Sequence, residues 1–370
     1  MFISDLFSIL PAILTAFIIC FLMMPIIIRV AKIKHLIDQP DQVRKFHEST
    51  VPALGGIGIF AAFIISFSIW GGVIDLSSYP FFIAALFLLF LAGLKDDLIM
   101  LEPSKKLIVQ ILAATVLVTG GGVIITDFGG VFGIHEIHWI AGVLFSILVL
   151  VAIVNAFNMI DGIDGLAGGI GVIVSSILGI WFWIAGIMSL AILSFTITGA
   201  LIGFLSFNMH PAKIFMGDTG AMAVGFILGY LVLEFLILNT SVAGQPWYMD
   251  NAPIFALALF IIPITDTLRV MTIRLLNGKS IFLADRNHIH HQLSEIGISD
   301  HYVSFSLWIS NIMIIGAAYS LAYIEINFQL LLLMTGGLMV LPFIKHTYSF
   351  AMGILIHRER KKSKTALDLN

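Results

Sequence analysis

The sequence predicts an all-α polytopic membrane protein with about eleven transmembrane helices. Of its 370 residues, 59% are hydrophobic and only 11% are charged, and the mean hydropathy is +1.05. A soluble domain has about 25% charged residues. Thirty phenylalanines and fifteen methionines could not be buried in one soluble core, so the composition excludes a soluble protein.

The lengths of the apolar segments agree with this fold class. A hydrocarbon layer about 30 Å thick needs roughly 20 apolar residues of α-helix to cross it. The predicted spans lie at about 6–29, 53–71, 79–94, 107–122, 139–155, 169–186, 188–206, 219–238, 252–271, 303–322 and 327–344.

The basic residues predict the orientation of the chain. If alternate loops are taken as cytoplasmic, starting with 30–52, all 19 lysines and arginines fall on the cytoplasmic side. By the positive-inside rule, the N-terminus then lies outside and the C-terminus in the cytoplasm. On the outer side, residues 123–139 alternate apolar and polar side chains around glycines, which predicts a small periplasmic β-hairpin with His135 and His138 on its surface.

The carboxylates cluster in the predicted cytoplasmic loops. The clusters are "GLKDDLIM", "NAFNMIDGIDGL", "NMHPAKIFMGDTG" and "LADRNHIHHQL". Because these loops share one face of one membrane, they can converge on one site. We therefore expect a single transmembrane domain, 1–370, whose active site is built from loops 30–52, 95–106, 155–168, 207–218 and 272–302.

The second cluster spaces its polar residues three apart, at Asn155, Asn158, Asp161 and Asp164. Steps of three residues drift by about 60° against the 3.6-residue period, so one helix face cannot carry all four. The glycines between them allow the chain to break and the polar groups to converge. A capping and turn segment is the alternative, although four such residues exceed what a cap needs.

Two further acid positions each allow two interpretations. Asp96 and Asp97 are neighbouring carboxylates that would raise each other's pKa unless a cation relieves them. Lysines nearby, among them Lys106, or a divalent metal could supply that cation. Asp218 precedes a predicted span and could be either a helix N-cap or a functional acid.

The histidines of "DRNHIHH" could hold zinc, but their spacing is not that of His-Glu-x-x-His. The single cysteine, Cys20, lies within the first predicted span and excludes a cysteine-based metal site. Oxygen ligands and phosphate chemistry favour Mg²⁺. Arg286 and the histidines are then better explained as a phosphate or sugar clamp.

These motifs resemble those of the polyprenyl-phosphate N-acetylhexosamine-1-phosphate transferases. The pattern "DD", "NxxNxxDGxDGL", "PAKxFMGDTG" and "DRxHxHH" occurs here in the same order and at the same loop positions. The resemblance covers nearly the whole chain, from "DQPDQVRKFHESTVPALGGI" to the histidine loop. It is greatest to the bacterial undecaprenyl-phosphate GlcNAc-1-phosphate transferases, of the glycosyltransferase family 4 type.

The resemblance implies a role for each motif residue. Asp218 and Asn158 would bind Mg²⁺, with Mn²⁺ as an alternative ion, and Asp96 and Asp97 would be the catalytic acids where the lipid phosphate arrives. Phe215 would stack on the uracil and Asp164 would hydrogen-bond its edge. The remaining predicted substrate-binding residues are Lys45, Lys106, Asn155, Asp161, Asn208, Arg286, His288, His290 and His291.

The implied reaction is transfer of GlcNAc-1-phosphate from UDP-GlcNAc to undecaprenyl phosphate, with release of UMP, at the cytoplasmic face of a bacterial inner membrane. The expected partners are these substrates and membrane lipid; a homodimer stays open, and no nucleic acid is expected. The alternatives are a phospho-MurNAc-pentapeptide transferase, a transferase for another UDP-N-acetylhexosamine, or a secondary transporter. Transporters place charged groups near the membrane midplane, and here only Glu234 lies deep in a predicted span.

Overall fold

The computed structural model describes residues 2–36, 51–71, 78–278 and 288–367. Within these ranges the chain forms thirteen α-helices. They are α1 Phe2–Ile33, α2 Gly55–Trp70, α3 Tyr79–Leu98, α4 Pro103–Thr115, α5 Trp139–Ile160, α6 Leu166–Ile184, α7 Met188–Asn208, α8 Gly217–Ser241, α9 Ala252–Leu259, α10 Ile261–Leu276, α11 Ile289–Glu295, α12 Asp300–Ser320 and α13 Ile326–Leu367. A π-helical turn, Val116–Gly120, continues α4.

The protein is a multi-pass membrane protein. Among the described residues, seven helices are long and apolar enough to cross a membrane, and the bent pair α9–α10 makes an eighth if it is one span. A helix or helix pair occupies each of the eleven predicted segments, but α2, with 16 residues, is short for a full crossing. Eleven crossings and the outside position of the N-terminus therefore stay predictions.

The central element is α8. In its most apolar window 83% of the residues are buried, as expected for a helix that is apolar on all sides. Helix α2 lies against its first turn so closely that a Cβ added to Gly56 would be 2.1 Å from the backbone nitrogen of Gly220. Small residues permit this close approach of backbones in lipid, where dispersion contacts drive helix association.

The helix pair α9–α10 bends by 75°. Pro263, in the first turn of α10, has no backbone N–H to donate to the carbonyl of Leu259, four residues earlier. The side-chain amide of Asn311 on α12 donates to that carbonyl instead, at 3.2 Å. The bend is therefore compensated from a neighbouring helix.

The predicted hairpin at 123–139 is not confirmed as a pair of strands. A single antiparallel bridge joins Asp127 and Glu136 around a short 3₁₀ turn, and the described residues contain no β-strand. His138 caps α5, since its Nδ1 accepts a hydrogen bond from the amide of Ile140 at 3.3 Å. The alternation of side chains was thus too short to define a sheet.

Glu234 lies buried on α8, far along the chain from the motif at the start of that helix. Its carboxylate accepts a hydrogen bond from the Ser78 hydroxyl at 3.1 Å, and the same hydroxyl lies 3.0 Å from the Tyr230 hydroxyl. This acid is therefore satisfied by the start of α3 and by its own helix.

Candidate active site

Four helix ends meet at one end of the bundle and bring together an acid cluster, which we define as Asp96, Asp97, Asp161 and Asp218. Asp96 and Asp97 lie in the last turn of α3, Asp161 follows α5, and Asp218 lies in the first turn of α8. The start of α4 adds Lys106.

Lys106 bridges two members of the cluster. Its Nζ lies 2.5 Å from Oδ2 of Asp96 and 3.2 Å from Oδ2 of Asp218. Burial by itself would lower the pKa of Lys106, but the charges of Asp218 and Asp96 outweigh that effect and raise it. The ammonium is thereby held charged between the two carboxylates.

Asp96 is the acid of the adjacent pair that contacts the lysine. Its Oδ1 accepts the amide of Leu101 at 2.6 Å, in addition to the Lys106 contact. Burial would raise the pKa of Asp96, but its contact with Asp218, the hydrogen bonds from Lys106 and the Leu101 amide, and the charge of Lys106 together hold it below its ordinary value. Asp96 is therefore an ionised anchor.

Asp97 binds the N-terminus of α8. Its Oδ1 accepts the amide of Asp218 at 2.8 Å, and its Oδ2 accepts the amide of Thr219 at 3.0 Å and also the Thr219 hydroxyl. These amides are among those that a helix start leaves without partners. Burial raises the pKa of Asp97 to about 7, against these hydrogen bonds.

Asp161 faces the same helix start from α5. Burial, followed by the charges of Asp218 and Asp97, raises the pKa of Asp161 to about 7, while a hydrogen bond from the Gly217 amide lowers it. Asn158, one turn earlier, donates its side-chain amide to Oδ1 of Asp218 at 2.9 Å. Three members of the predicted site thus surround the start of α8.

Gly217 is required at this helix start. Its φ is +71°, a left-handed value that favours glycine. A Cβ there would lie 2.1 Å from the carbonyl oxygen of Ala53 and 2.8 Å from Oδ2 of Asp97. A side chain at this position would force the acid and the chain before α2 apart.

A second group joins the loop between α5 and α6 to the end of α7 and the loop that follows it. Oδ2 of Asp164 is 2.9 Å from Nδ1 of His210 and accepts the amide of Ala212 at 3.0 Å. The buried side chain of Asn208 makes two hydrogen bonds of 2.9 Å. Its Oδ1 accepts a hydrogen bond from the amide of Gly165, and its Nδ2 donates one to the carbonyl of Ile214. These bonds fix the loop that carries Phe215, whose ring is partly exposed.

Phe215 itself is pinned through its backbone. Its amide donates to the carbonyl of Pro52, and its carbonyl accepts the amide of Gly55, each at 2.9 Å. The chain before α2 is thus joined to the loop that leads into Asp218. Asn155, by contrast, donates to Gln110 on α4 at 2.6 Å and to the Val151 carbonyl, so it links two helices.

The histidine motif is partly described. His288 is buried, and its Nδ1 lies 2.9 Å from Oδ2 of Asp266 on α10. His290 and His291 lie in α11, and their side chains are outside the described part of the chain. Lys45 and Arg286 also lie outside the described residues.

A family model described as "Glycosyl transferase family 4" matches residues 79–236 of this chain, from α3 to α8. A probable undecaprenyl-phosphate N-acetylglucosaminyl 1-phosphate transferase of Bacillus subtilis is 31% identical over 306 residues, which cover 82% of this chain and 80% of that protein. This chain belongs to glycosyl transferase family 4.

Two further family 4 relatives are undecaprenyl-phosphate α-N-acetylglucosaminyl 1-phosphate transferases. The protein of Escherichia coli K12 is 28% identical over 278 residues, 73% of this chain and 72% of its own length. That of Haemophilus influenzae is 30% identical over 272 residues, 71% of this chain and 73% of its own length. The resemblance read from the motifs is confirmed at the level of the family.

The family 4 match contains the acid cluster and the Asp164 loop, and it ends before α10. Sequence reasoning missed three residues that the structure brings into this region: Thr219, which donates to Asp97, His210, which contacts Asp164, and Asp266, which contacts His288. A signal existed for Asp266, because an acid inside an apolar span is costly unless it has a purpose.

Proposed function

We propose that this protein transfers GlcNAc-1-phosphate from UDP-GlcNAc to undecaprenyl phosphate. The observation that carries the proposal is the cluster of four carboxylates and one lysine around the start of α8, in a chain related to transferases named for this reaction. We place the site at the cytoplasmic face of the bacterial inner membrane, because the basic residues predict that side.

The proposed reaction exchanges one phosphorus–oxygen bond for another. An oxygen of the acceptor phosphate attacks the β-phosphorus of UDP-GlcNAc, and the bond from that phosphorus to the bridging oxygen breaks. UMP leaves with the electron pair, and undecaprenyl-diphospho-GlcNAc is formed. Such a transfer needs positioning and charge neutralisation more than covalent chemistry by the protein.

The residues present fit a divalent cation. Among the described residues, one lysine contacts the cluster of four carboxylates, and the charge of Asp218 adds to burial in raising the pKa values of Asp97 and Asp161. Asp218 and the amide of Asn158 offer the oxygen donors that Mg²⁺ prefers. A bound Mg²⁺ would neutralise charge on the diphosphate and on the leaving UMP.

The protein's own groups would act around that charge. Lys106 would contact the diphosphate from its place between Asp96 and Asp218. The second pKa of a phosphate monoester is about 6, so the acceptor needs little help from a base. Because both oxygens of Asp97 are engaged by the start of α8, we assign it to holding Asp218 in place and, at most, to taking the last acceptor proton.

The nucleotide would bind at the second group of residues, around Asp164 and the loop that carries Phe215. Phe215 offers a partly exposed ring for the uracil, and Asp164 offers a carboxylate for its edge. His210 already contacts that carboxylate, so uridine binding would compete with or rearrange the contact. The hydrogen bonds of Asn208 would hold the conformation of the loop while the nucleotide binds.

The test is a transfer assay with purified protein, undecaprenyl phosphate, Mg²⁺ and UDP-GlcNAc. We expect release of UMP and formation of a lipid-linked GlcNAc diphosphate, and we expect EDTA to abolish both. Parallel reactions with UDP-MurNAc-pentapeptide and UDP-GalNAc decide among the donor sugars. Uptake of UDP-GlcNAc into proteoliposomes without UMP release would replace the transferase by a transporter.

A further inference from the structure

The carboxylate of Asp266 lies in the interior of α10, within the bent pair that penetrates the membrane region, and only 2% of its surface is exposed. A charge in such surroundings is costly unless it is paired and hydrogen-bonded. Asp266 meets that condition. Arg269, one turn later on the same helix, donates to its Oδ1 at 2.8 Å.

Two further contacts of Asp266 are with the start of α11. Nδ1 of His288 lies 2.9 Å from its Oδ2, and the amide of Ile289 donates to its Oδ1 at 2.9 Å. Ile289 is the first residue of α11, and that helix has no capping side chain of its own. Asp266 therefore attaches His288 and the start of α11 to α10.

This part of α10 lies beside the end of α5, the helix that carries Asn158. The hydroxyl of Thr267, the residue after Asp266, lies 3.5 Å from the sulfur of Met159 on α5. Met159 follows Asn158, whose side-chain amide is bonded to Asp218. A short chain of contacts thus connects His288, through Asp266 and the next residue, to the residues proposed to hold the metal.

We infer that Asp266 is a positioning residue for the transfer reaction and that it acts through His288, an inference that rests on the proposed function. An ionised carboxylate can only accept hydrogen bonds, so Nδ1 of His288 carries the hydrogen in this contact. The tautomer and the ring plane are fixed by that bond, as in other carboxylate–histidine pairs. His288 then presents Nε2 to the diphosphate or the sugar.

The decisive variant is Asp266→Asn, which keeps the size and removes the charge. Its amide nitrogen would face Nδ1 of His288 and favour the opposite tautomer. We expect kcat to fall ~10- to 100-fold, the range for carboxylates that orient a functional histidine. We expect little change in KM for UDP-GlcNAc and an altered pH profile of kcat.

A double-mutant cycle separates positioning from general support of the fold. If Asp266 acts through His288, the variant Asp266→Asn/His288→Ala should be no slower than His288→Ala alone.

Glu234→Gln is the matched control, because it also neutralises a buried acid that is bonded to a neighbouring helix. It should leave kcat unchanged. If Asp266→Asn does not fold, Asp266→Glu keeps the charge, displaces the carboxylate and should give the same pattern.

Two results would overturn the inference alone: an active wild type with an unaffected Asp266→Asn, or losses that multiply in the double variant. A wild-type protein that releases no UMP would remove the proposed function and this inference together.

Discussion

At the scale of single residues, Lys106 holds two carboxylates that would otherwise repel each other across the cluster. It is one of two adjacent lysines, and the two differ in their surroundings. Lys105 forms an exposed pair with Glu102, at 3.3 Å, on the surface of α4. Lys106 is enclosed between Asp96 and Asp218, and its side chain is only 22% exposed.

The adjacent lysines provide a matched test. We expect Lys106→Met to lower kcat/KM for UDP-GlcNAc by ~100-fold or more, the scale of losing one preorganised charge contact in an enclosed site. Lys105→Met should change it little, because exposed ion pairs contribute about 0–1 kcal/mol. Equal losses in both variants would show that only the general charge of α4 matters.

The raised pKa values of Asp97 and Asp161, each to about 7, predict how stability depends on pH in the absence of divalent cations. Because the folded protein binds these protons more tightly than the unfolded chain does, the contribution of these two acids to stability is greatest at low pH. It falls as pH rises from the ordinary carboxyl pKa of ~4 toward 7.

Mg²⁺ should compete with those protons. We therefore expect added Mg²⁺ to raise the thermal unfolding midpoint more at pH 8 than at pH 5.5, measured in detergent by tryptophan fluorescence. The increase should disappear in Asp218→Asn. A Mg²⁺ effect that is the same at both pH values would mean that the ion does not bind at these acids.

At the scale of elements, the start of α8 is the structure on which the site depends, and Gly217 is its most constrained position. We expect Gly217→Ala to destabilise the protein by at least ~1–2 kcal/mol, from the left-handed backbone alone, and to abolish transfer.

Gly244 also has a left-handed φ, +83°, but its added Cβ would meet nothing within 4 Å. Gly244→Ala should retain activity, as judged by UMP release and thermal midpoint. Loss of activity in both variants would show that backbone strain, rather than crowding at the site, causes the defect.

The helices were predictable because apolar segments of membrane length are a local property of the sequence, as at α5 and α8. The bend between α9 and α10 was not predicted, since it depends on Asn311 of another helix to satisfy the freed carbonyl of Leu259. Likewise the motifs identified Asp97 and Asp218 as site residues. They could not show that Asp97 caps the helix that begins beside Asp218, because that pairing is a tertiary contact.

At the scale of the whole molecule, one face of the bundle should gather every loop of the site. We expect single cysteines placed at Lys105 and Leu276, in a Cys20→Ser background, to be labelled by impermeant maleimide only in inside-out vesicles. A cysteine at Gly133 should be labelled in right-side-out vesicles. Labelling of position 105 from the periplasmic side would separate the acid cluster from the cytoplasmic nucleotide and contradict the proposed siting.

The most direct measurement of the central claim is the rate of UMP release from UDP-GlcNAc in Asp218→Asn compared with Glu234→Gln. Both variants neutralise one acid of the same helix, Asp218 in its first turn and Glu234 in its buried interior. We predict that Asp218→Asn lowers the rate by ~100-fold or more, the loss expected for an electrostatic contact to the reacting groups, while Glu234→Gln stays near wild type. Equal rates in the two variants would contradict the assignment of the acid cluster as the active site.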